Sequence, residues 1–293
     1  MANIEVRTPE VQARKVTGEK PLYQLPKGSI DSHMHLYAAQ YPGQKGGPAP
    51  PADQAGIEMY QKVQQWLGLE RVVIVQANAH QADNSCLLNG LSHFGDKARG
   101  VAAVKANTSE SQLQDLHNSG VRAARIMELN GAVGMQDLLA VNQLINSFNW
   151  SCIVQFDGKD MLKHTSSLKQ LQGNYVIDHT GKYLQPVDIK DPTFTALLTL
   201  IDKGNCYVKL AGCYETSRSG APFYEDLAAM SKALLKHAPE RVIWGSNWPH
   251  VSLAATETPD DGTLLNLACD WMGDEQTMQK VFIDNPSRLY GFI

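Results

Sequence analysis

Short, nearly continuous apolar runs recur along the chain, separated by stretches in which apolar residues return every three to four positions. The runs fall at 30–35 (IDSHMH), 71–77 (RVVIVQA), 100–105 (GVAAVK), 121–127 (VRAARIM), 151–156 (SCIVQF), 174–179 (NYVIDH), 206–211 (CYVKLA) and 241–246 (RVIWGS). Most are short and β-branched, which predicts strands covered on both faces of a parallel sheet. Helical period is clearest at 135–149, where Met135, Leu138, Leu139, Val141, Leu144, Ile145 and Phe148 trace one apolar face. Asp191 followed by Pro192 predicts an N-cap and first turn for a helix running to Gly204. Eight strands alternating with helices predict an α/β fold of (β/α)8 TIM-barrel type. A doubly wound sheet would show an early glycine-rich phosphate turn, and no GxGxxG or GxxxxGK[ST] occurs. Residues 1–28 are polar, carry Pro9, Pro21 and Pro26, and predict an arm over a single barrel at 29–293. The segment 42–56 (PGQKGGPAPPADQAG) predicts a loop long enough to form a lid or wall at the barrel mouth.

Composition narrows the function classes. At 293 residues and 43% hydrophobic, the chain can bury a large core. A formal net charge of −4 and the lack of a basic run argue against nucleic acid as a partner. The first fifteen residues lack a signal peptide's apolar region, and no 18 apolar residues run together, so neither secretion nor a membrane is expected. Five scattered cysteines (Cys86, Cys152, Cys206, Cys213 and Cys269), without CxxC pairs, fit reduced thiols in cytoplasm.

In a barrel the chemistry lies at the C-terminal strand ends. The first strand ends in Asp31-Ser32-His33-Met34-His35, where a period of two places His33 and His35 on one side. The sixth ends in Asp178-His179-Thr180-Gly181, adding a third imidazole at the same level. Any one of these is more often an ordinary polar residue near a loop, but three at equivalent strand ends favour a site. With the stretch WGSNWPH at 244–250 and the closing NPSRLYGF at 285–292, these motifs resemble the amidohydrolase superfamily, in particular its 2-pyrone-4,6-dicarboxylate lactonase branch. The resemblance spans residues 28–293 and implies a distorted (β/α)8 barrel.

Two departures from the wider superfamily bear on the chemistry. Where binuclear members carry a bridging Lys or Glu and a further His, this chain has Arg125-Ile126-Met127 and Gln155-Phe156-Asp157. Where single-metal members carry the Asp of GSDWP, it has Asn247. An amide neither ligates a cation strongly nor takes a proton from water at neutral pH. His33, His35 and His179 could by themselves hold zinc, but the lactonase branch is implied to work without metal, so neither metal nor other cofactor is expected.

Arg125 and Lys209 lie on strands among apolar neighbours, where a cation needs an anion, and a substrate carboxylate would supply one. Arg122, of opposite parity, reads equally well as a solvent-facing cation. Tyr214 and Arg218 fall in a loop that could close over a ligand, while Gln76, Asn78 and Gln155 could bind hydroxyls or merely satisfy backbone. Three imidazoles can stabilise an ester oxyanion. Without the carboxylate, hydrolysis loses a general base worth ~10²–10⁴-fold, whereas a hydroxyl within the substrate has an effective molarity of ~10⁵ M or more. The expected reaction is lactone isomerisation: the 4-hydroxyl of a small six-membered aldarolactone attacks C1 and the ring oxygen departs. His33, His35, His179 and Asn247 are the expected catalytic residues. The alternatives are a lactonase, a metal-dependent hydrolase or decarboxylase using the three histidines as ligands, and a non-catalytic carboxylate-binding protein.

Overall fold

The computed structural model describes residues 14–51 and 55–292. Within them, eight strands follow one another in sequence order round one sheet. They are β1 (Ile30–Met34), β2 (Arg71–Val75), β3 (Ala98–Ala102), β4 (Val121–Met127), β5 (Ser151–Gln155), β6 (Tyr175–Ile177), β7 (Cys206–Leu210) and β8 (Val242–Trp244). Each successive pair is parallel. The principal helices between them are α1 (Ile57–Leu67), α2 (Ser85–Phe94), α3 (Glu110–Asn118), α4 (Leu138–Asn146), α5 (Met161–Gln170), α6 (Pro192–Asp202) and α7 (Glu225–His237), with α8 (Asp261–Met272) after β8. This is the expected (β/α)8 barrel.

Element bounds differ from the pattern in small ways. The third strand begins at Ala98 rather than 100, because Arg99, a residue that counts against a strand, turns its guanidinium over the Phe292 ring at 4.7 Å. The helix expected over 135–149 opens as a 3₁₀ turn at Met135–Asp137 and ends at Asn146, before Asn149 takes a positive φ on the way into β5. Asp191 caps α6 as its sequence predicts, accepting from the Thr193 amide at 2.8 Å. Residues 14–28 form no helix or strand: Glu19 accepts from the Trp66 indole of α1, and Leu22 donates to Asn266 of α8. The rest of the predicted arm lies outside the described residues, as do positions 52–54 of the Pro/Gly-rich loop.

What positions the site is a change of character along the inward-facing residues. Ile30, Val73, Val101, Ala123, Ile153, Val176, Tyr207 and Ile243 pack into one another across the barrel, and Tyr290 and Phe292 close the floor. Two residues further along four of these strands, on the same face, stand Arg125, Gln155, Asp178 and Lys209. The barrel is thus apolar below and polar at its mouth.

The first strand breaks the parity. Asp31 pairs with Val72 and Met34 with Ile74, three steps on β1 against two on β2. Asp31, next to the inward Ile30, faces out and accepts from Tyr60 of α1 at 2.8 Å, and the bulge that follows it turns His33 and His35 inward. Asp31 also binds Ser246 through its amide (2.9 Å) and hydroxyl (2.6 Å). With Asn247 N donating to His33 O and His35 N to Trp248 O, each at 2.8 Å, these contacts close the barrel between β1 and the segment after β8. Gly245 is required there: a Cβ would lie 2.4 Å from that of His33.

Candidate active site

A cavity of about 330 Å³ opens at the C-terminal mouth, walled by His35, Arg125, Gln155, His179, Glu215 and Asn247, with Pro48 and Ala49 of the Pro/Gly-rich loop at its rim. Asn78 lines both this cavity and a neighbouring one of about 500 Å³, and Arg125 forms part of the wall of each.

Beneath the cavity a directional hydrogen-bond chain runs through two of the histidines. Lys209 is 0% exposed and lies 2.9 Å from Asp178 Oδ1 and 3.1 Å from His33 Nδ1. Asp178 Oδ1 is also 3.5 Å from His33 Nδ1, but the ammonium is nearer and can only donate, so His33 accepts at Nδ1 and carries its hydrogen on Nε2. That hydrogen points to His35 Nε2, 3.2 Å away, and His35 in turn donates from Nδ1 to the Val75 carbonyl at 2.8 Å. Both imidazoles thereby have their lone pairs engaged. Burial, with Lys209 next, holds the His33 pKa well below its usual value; burial and Arg125 bring His35 down to about 3. For Asp178, burial pushes upward, but Lys209 and His33 outweigh it and hold the carboxyl well below the usual carboxylate range.

A second chain sets Asn247. The Asp261 carboxylate accepts from His250 Nε2 (3.0 Å), so His250 Nδ1 accepts from the Tyr214 hydroxyl (2.7 Å), whose oxygen accepts from Asn247 Nδ2 (2.7 Å). The same Nδ2 lies 3.3 Å from Glu215 Oε1. The amide orientation is doubly determined, leaving Oδ1 for the cavity. His179, Thr180, Asn247 and His250 all have positive φ, a sparsely populated region for residues with a Cβ, and they cluster at this mouth.

Several expected site residues lie elsewhere than the sequence predicts. Lys209 is sealed below the imidazoles and paired to Asp178, so its anion is internal and it cannot meet a substrate carboxylate. Gln76 spends its amide nitrogen on the carbonyls of Gln81 (3.0 Å) and Asp83 (2.7 Å), supporting the loop after β2, and it lines the neighbouring cavity of about 500 Å³ rather than this one. Arg218 is exposed on an outer turn whose backbone is held by Asp226, away from the cavity wall. Tyr214 acts through its hydroxyl on Asn247 and His250. Arg125, Gln155 and Asn78 do line the cavity, and Arg125 reaches Gln155 Oε1 and Gln76 O, each at 3.1 Å, and Asp178 Oδ2 at 3.9 Å. Arg122 binds the carbonyls of His117 and Val121, with no part in the cavity.

Sequence patterns do not single out Glu215, Lys182 or His250. Asp178 alone carries a signal, its parity with Val176 and its place beside His179.

His33, Asp178 and His179 bring ligand atoms within 4.8 Å of one another, yet their hydrogen bonds do not suit a divalent ion. A metal would need a His33 lone pair, but Nδ1 already accepts from the Lys209 ammonium at 3.1 Å and Nε2 carries the hydrogen given to His35, while position 247 offers an amide. Prolonged treatment with a chelator is expected to leave turnover within twofold; loss of activity restored by zinc would contradict this donor assignment.

The chain matches the amidohydrolase family over residues 30–292. It is 41% identical to D-galactarolactone isomerase of Agrobacterium fabrum, with 94% of this chain and 96% of that protein covered. It is 30% identical to the 2-pyrone-4,6-dicarboxylate hydrolase of Comamonas testosteroni, covering 92% of each. A crystal structure of an Agrobacterium tumefaciens protein in its apo state superposes with a TM-score of 0.91 at 40% identity, covering 95% of this chain and 99% of that one. By sequence across nearly its whole length and by fold, this chain belongs to the amidohydrolase family.

Proposed function

We propose that this protein is a lactone isomerase that converts D-galactaro-1,5-lactone to D-galactaro-1,4-lactone by intramolecular acyl transfer. The sugar acid follows the similarity to the Agrobacterium fabrum isomerase. The observation that carries the reaction type is Asn247, an amide locked with its nitrogen toward Tyr214 and Glu215. Its carbonyl oxygen can accept a hydrogen bond from a hydroxyl and so orient it, but it cannot keep the proton, and water gains no base there. A hydroxyl already tethered near the carbonyl needs less help than water, through proximity alone.

The step balances within the substrate. The 4-oxygen bonds to C1, the carbonyl becomes an oxyanion, and collapse breaks the bond from C1 to the ring oxygen, which takes up the proton lost by the 4-hydroxyl. Arg125 and Lys182, both on the cavity wall, supply positive potential for the oxyanion and for the free carboxylate at the other end of the substrate. Replacing Arg125 by Met should raise KM and lower kcat/KM about 10–100-fold, the worth of a charge-assisted hydrogen bond. Steady-state kinetics on a folded variant check this, and unchanged constants would remove Arg125 from substrate binding.

The function is tested by NMR of freshly prepared 1,5-lactone with and without enzyme. Accelerated appearance of the 1,4-lactone is expected. Accumulation of ring-opened acid would make the protein a hydrolase, and no change over the spontaneous reaction would overturn the assignment.

A further inference from the structure

Isomerisation needs one group that takes the hydroxyl proton and returns it to the departing ring oxygen. His33 and His35 are poorly placed for that, since the chain from Lys209 to Val75 occupies both of their lone pairs. His179 is not part of that chain. Its Nδ1 lies 3.4 Å from Glu215 Oε2, and its ring lines the cavity. We infer that Glu215 selects His179 as the proton-carrying imidazole, holding its hydrogen on Nδ1 and leaving the Nε2 lone pair for the substrate hydroxyl. The role of that lone pair rests on the isomerase reading; the pairing itself does not.

The surroundings of Glu215 are built for this. Oε2 also pairs with Lys182, which sits on the same turn as His179, its amide donating to His179 O at 2.8 Å. Oε1 takes Asn247 Nδ2 at 3.3 Å. The carboxylate is therefore fixed between the turn after β6 and the segment after β8. Gly212 begins the turn that carries Glu215, with a φ of +59°, and a Cβ there would come within 2.9 Å of His179 Nδ1, 3.0 Å of Asn247 Nδ2 and 3.1 Å of Glu215 Oε2. Only glycine leaves room for the three groups to converge.

In the step, the 4-hydroxyl gives its proton to His179 Nε2 as its oxygen bonds to C1, and the imidazolium is stabilised by the Glu215 carboxylate. The same proton passes to the ring oxygen as that oxygen leaves C1. No other acid, base or reductant is consumed. Glu215 is a positioning residue and His179 the catalytic one.

Charges facing His179 set the pH range. Burial lowers its pKa, Lys182 and Arg125 lower it further, Glu215 and Asp178 raise it, and His33 packs edge-on at 5.0 Å; the result is about 4. Glu215 is pushed up by burial but brought down to about 2 by His179 and Lys182, so it is ionised wherever His179 is neutral. Activity should fall as the pH drops through about 4, where His179 becomes protonated and can no longer accept.

The deciding measurement is long-range ¹H–¹⁵N correlation on protein labelled with ¹⁵N-histidine, with His179→Gln to assign the ring. The wild type should show the Nδ1–H tautomer, and Glu215→Gln should shift it toward Nε2–H. An Nε2–H tautomer in the wild type overturns the inference without needing any variant to fold. In kinetics, Glu215→Gln should lower kcat about 10²-fold or more with little change in KM, and move the acid limb of kcat/KM to lower pH. In a His179→Gln background the same change should cost less than twofold, whereas equal losses in both backgrounds would show that Glu215 does not act through His179. If the wild type converts no lactone while the tautomer behaves as expected, the pairing holds and the isomerase reading fails.

Discussion

Lys209→Met is expected to cost about 3–5 kcal/mol of folding stability, the range for removing one partner of a buried ion pair. The ammonium is 0% exposed and sits 2.9 Å from Asp178 Oδ1, and the next cation, Arg125, is 3.9 Å from the other oxygen. Methionine fills most of the space but leaves the carboxylate in a dry interior. The chain through the imidazoles also loses its first donor, so turnover should fall with stability. Urea titration measures the loss, and a variant within 1 kcal/mol of the parent would show that Asp178 is compensated by other means. Lys209→Met with Asp178→Asn should recover much of the deficit, because neither charge then remains. The pH dependence has a definite sign. In the wild type the Asp178 pKa is depressed, so its contribution is present above the ordinary carboxylate range and is lost as pH falls through the depressed value. In the single variant burial dominates and raises that pKa. The carboxyl then takes up its proton earlier, and the gap between variant and parent narrows as the medium is acidified.

Asn247→Asp is expected to raise the ratio of hydrolysis to isomerisation toward the ~10²–10⁴-fold that a positioned base contributes. The gain has a condition set by Glu215. Nδ2 of Asn247 donates to Glu215 Oε1 at 3.3 Å, so an aspartate there would set two carboxylates against each other. Like charges at that distance raise the pKa of the pair, and burial adds to the rise. Hydrolysis should therefore appear only as pH rises through a value above the usual carboxylate range, and be weak below it. NMR of both products across pH, after subtraction of the spontaneous reaction, gives the ratio directly. A folded variant whose ratio matches wild type at every pH would mean that water exclusion or substrate geometry, and not the missing base, decides the outcome. The amide at 247 is then a property of the pair: with an ionised Glu215 beside it and a tyrosine oxygen on the other side, the position calls for a hydrogen-bond donor.

Much of the barrel was readable in the chain because its signals are local. Val73, Ile153 or Val176 with its neighbours announces a strand within five or six residues, and the same period of two that buries Ile153 places Gln155 at the mouth. His33 and His35 could be paired for that reason, and His179 joined to them once the sixth strand was placed. Even there the period of two breaks within the strand: Ile30 and His33 both face in across the bulge in β1, while Asp31 between them faces out to Tyr60 and Ser246.

By itself, then, the sequence determined the eight-fold alternation, the apolar floor beneath a polar mouth, the three imidazoles and the amide at 247. All of these depend on periodicity within a strand or on the chemical type of one residue. Only the tertiary structure decided what each group can do. That Lys209 answers Asp178 rather than a substrate and that Glu215 stands behind His179 follow from segments 30 or more residues apart meeting at the barrel mouth, while the turn of the chain after β2 brings its own carbonyls back to Gln76. The direction of each hydrogen bond is fixed at the ends of these chains, by an ammonium that can only donate and by carbonyl or carboxylate oxygens that can only accept. Those partners are assembled by folding, and no periodicity in the sequence records them.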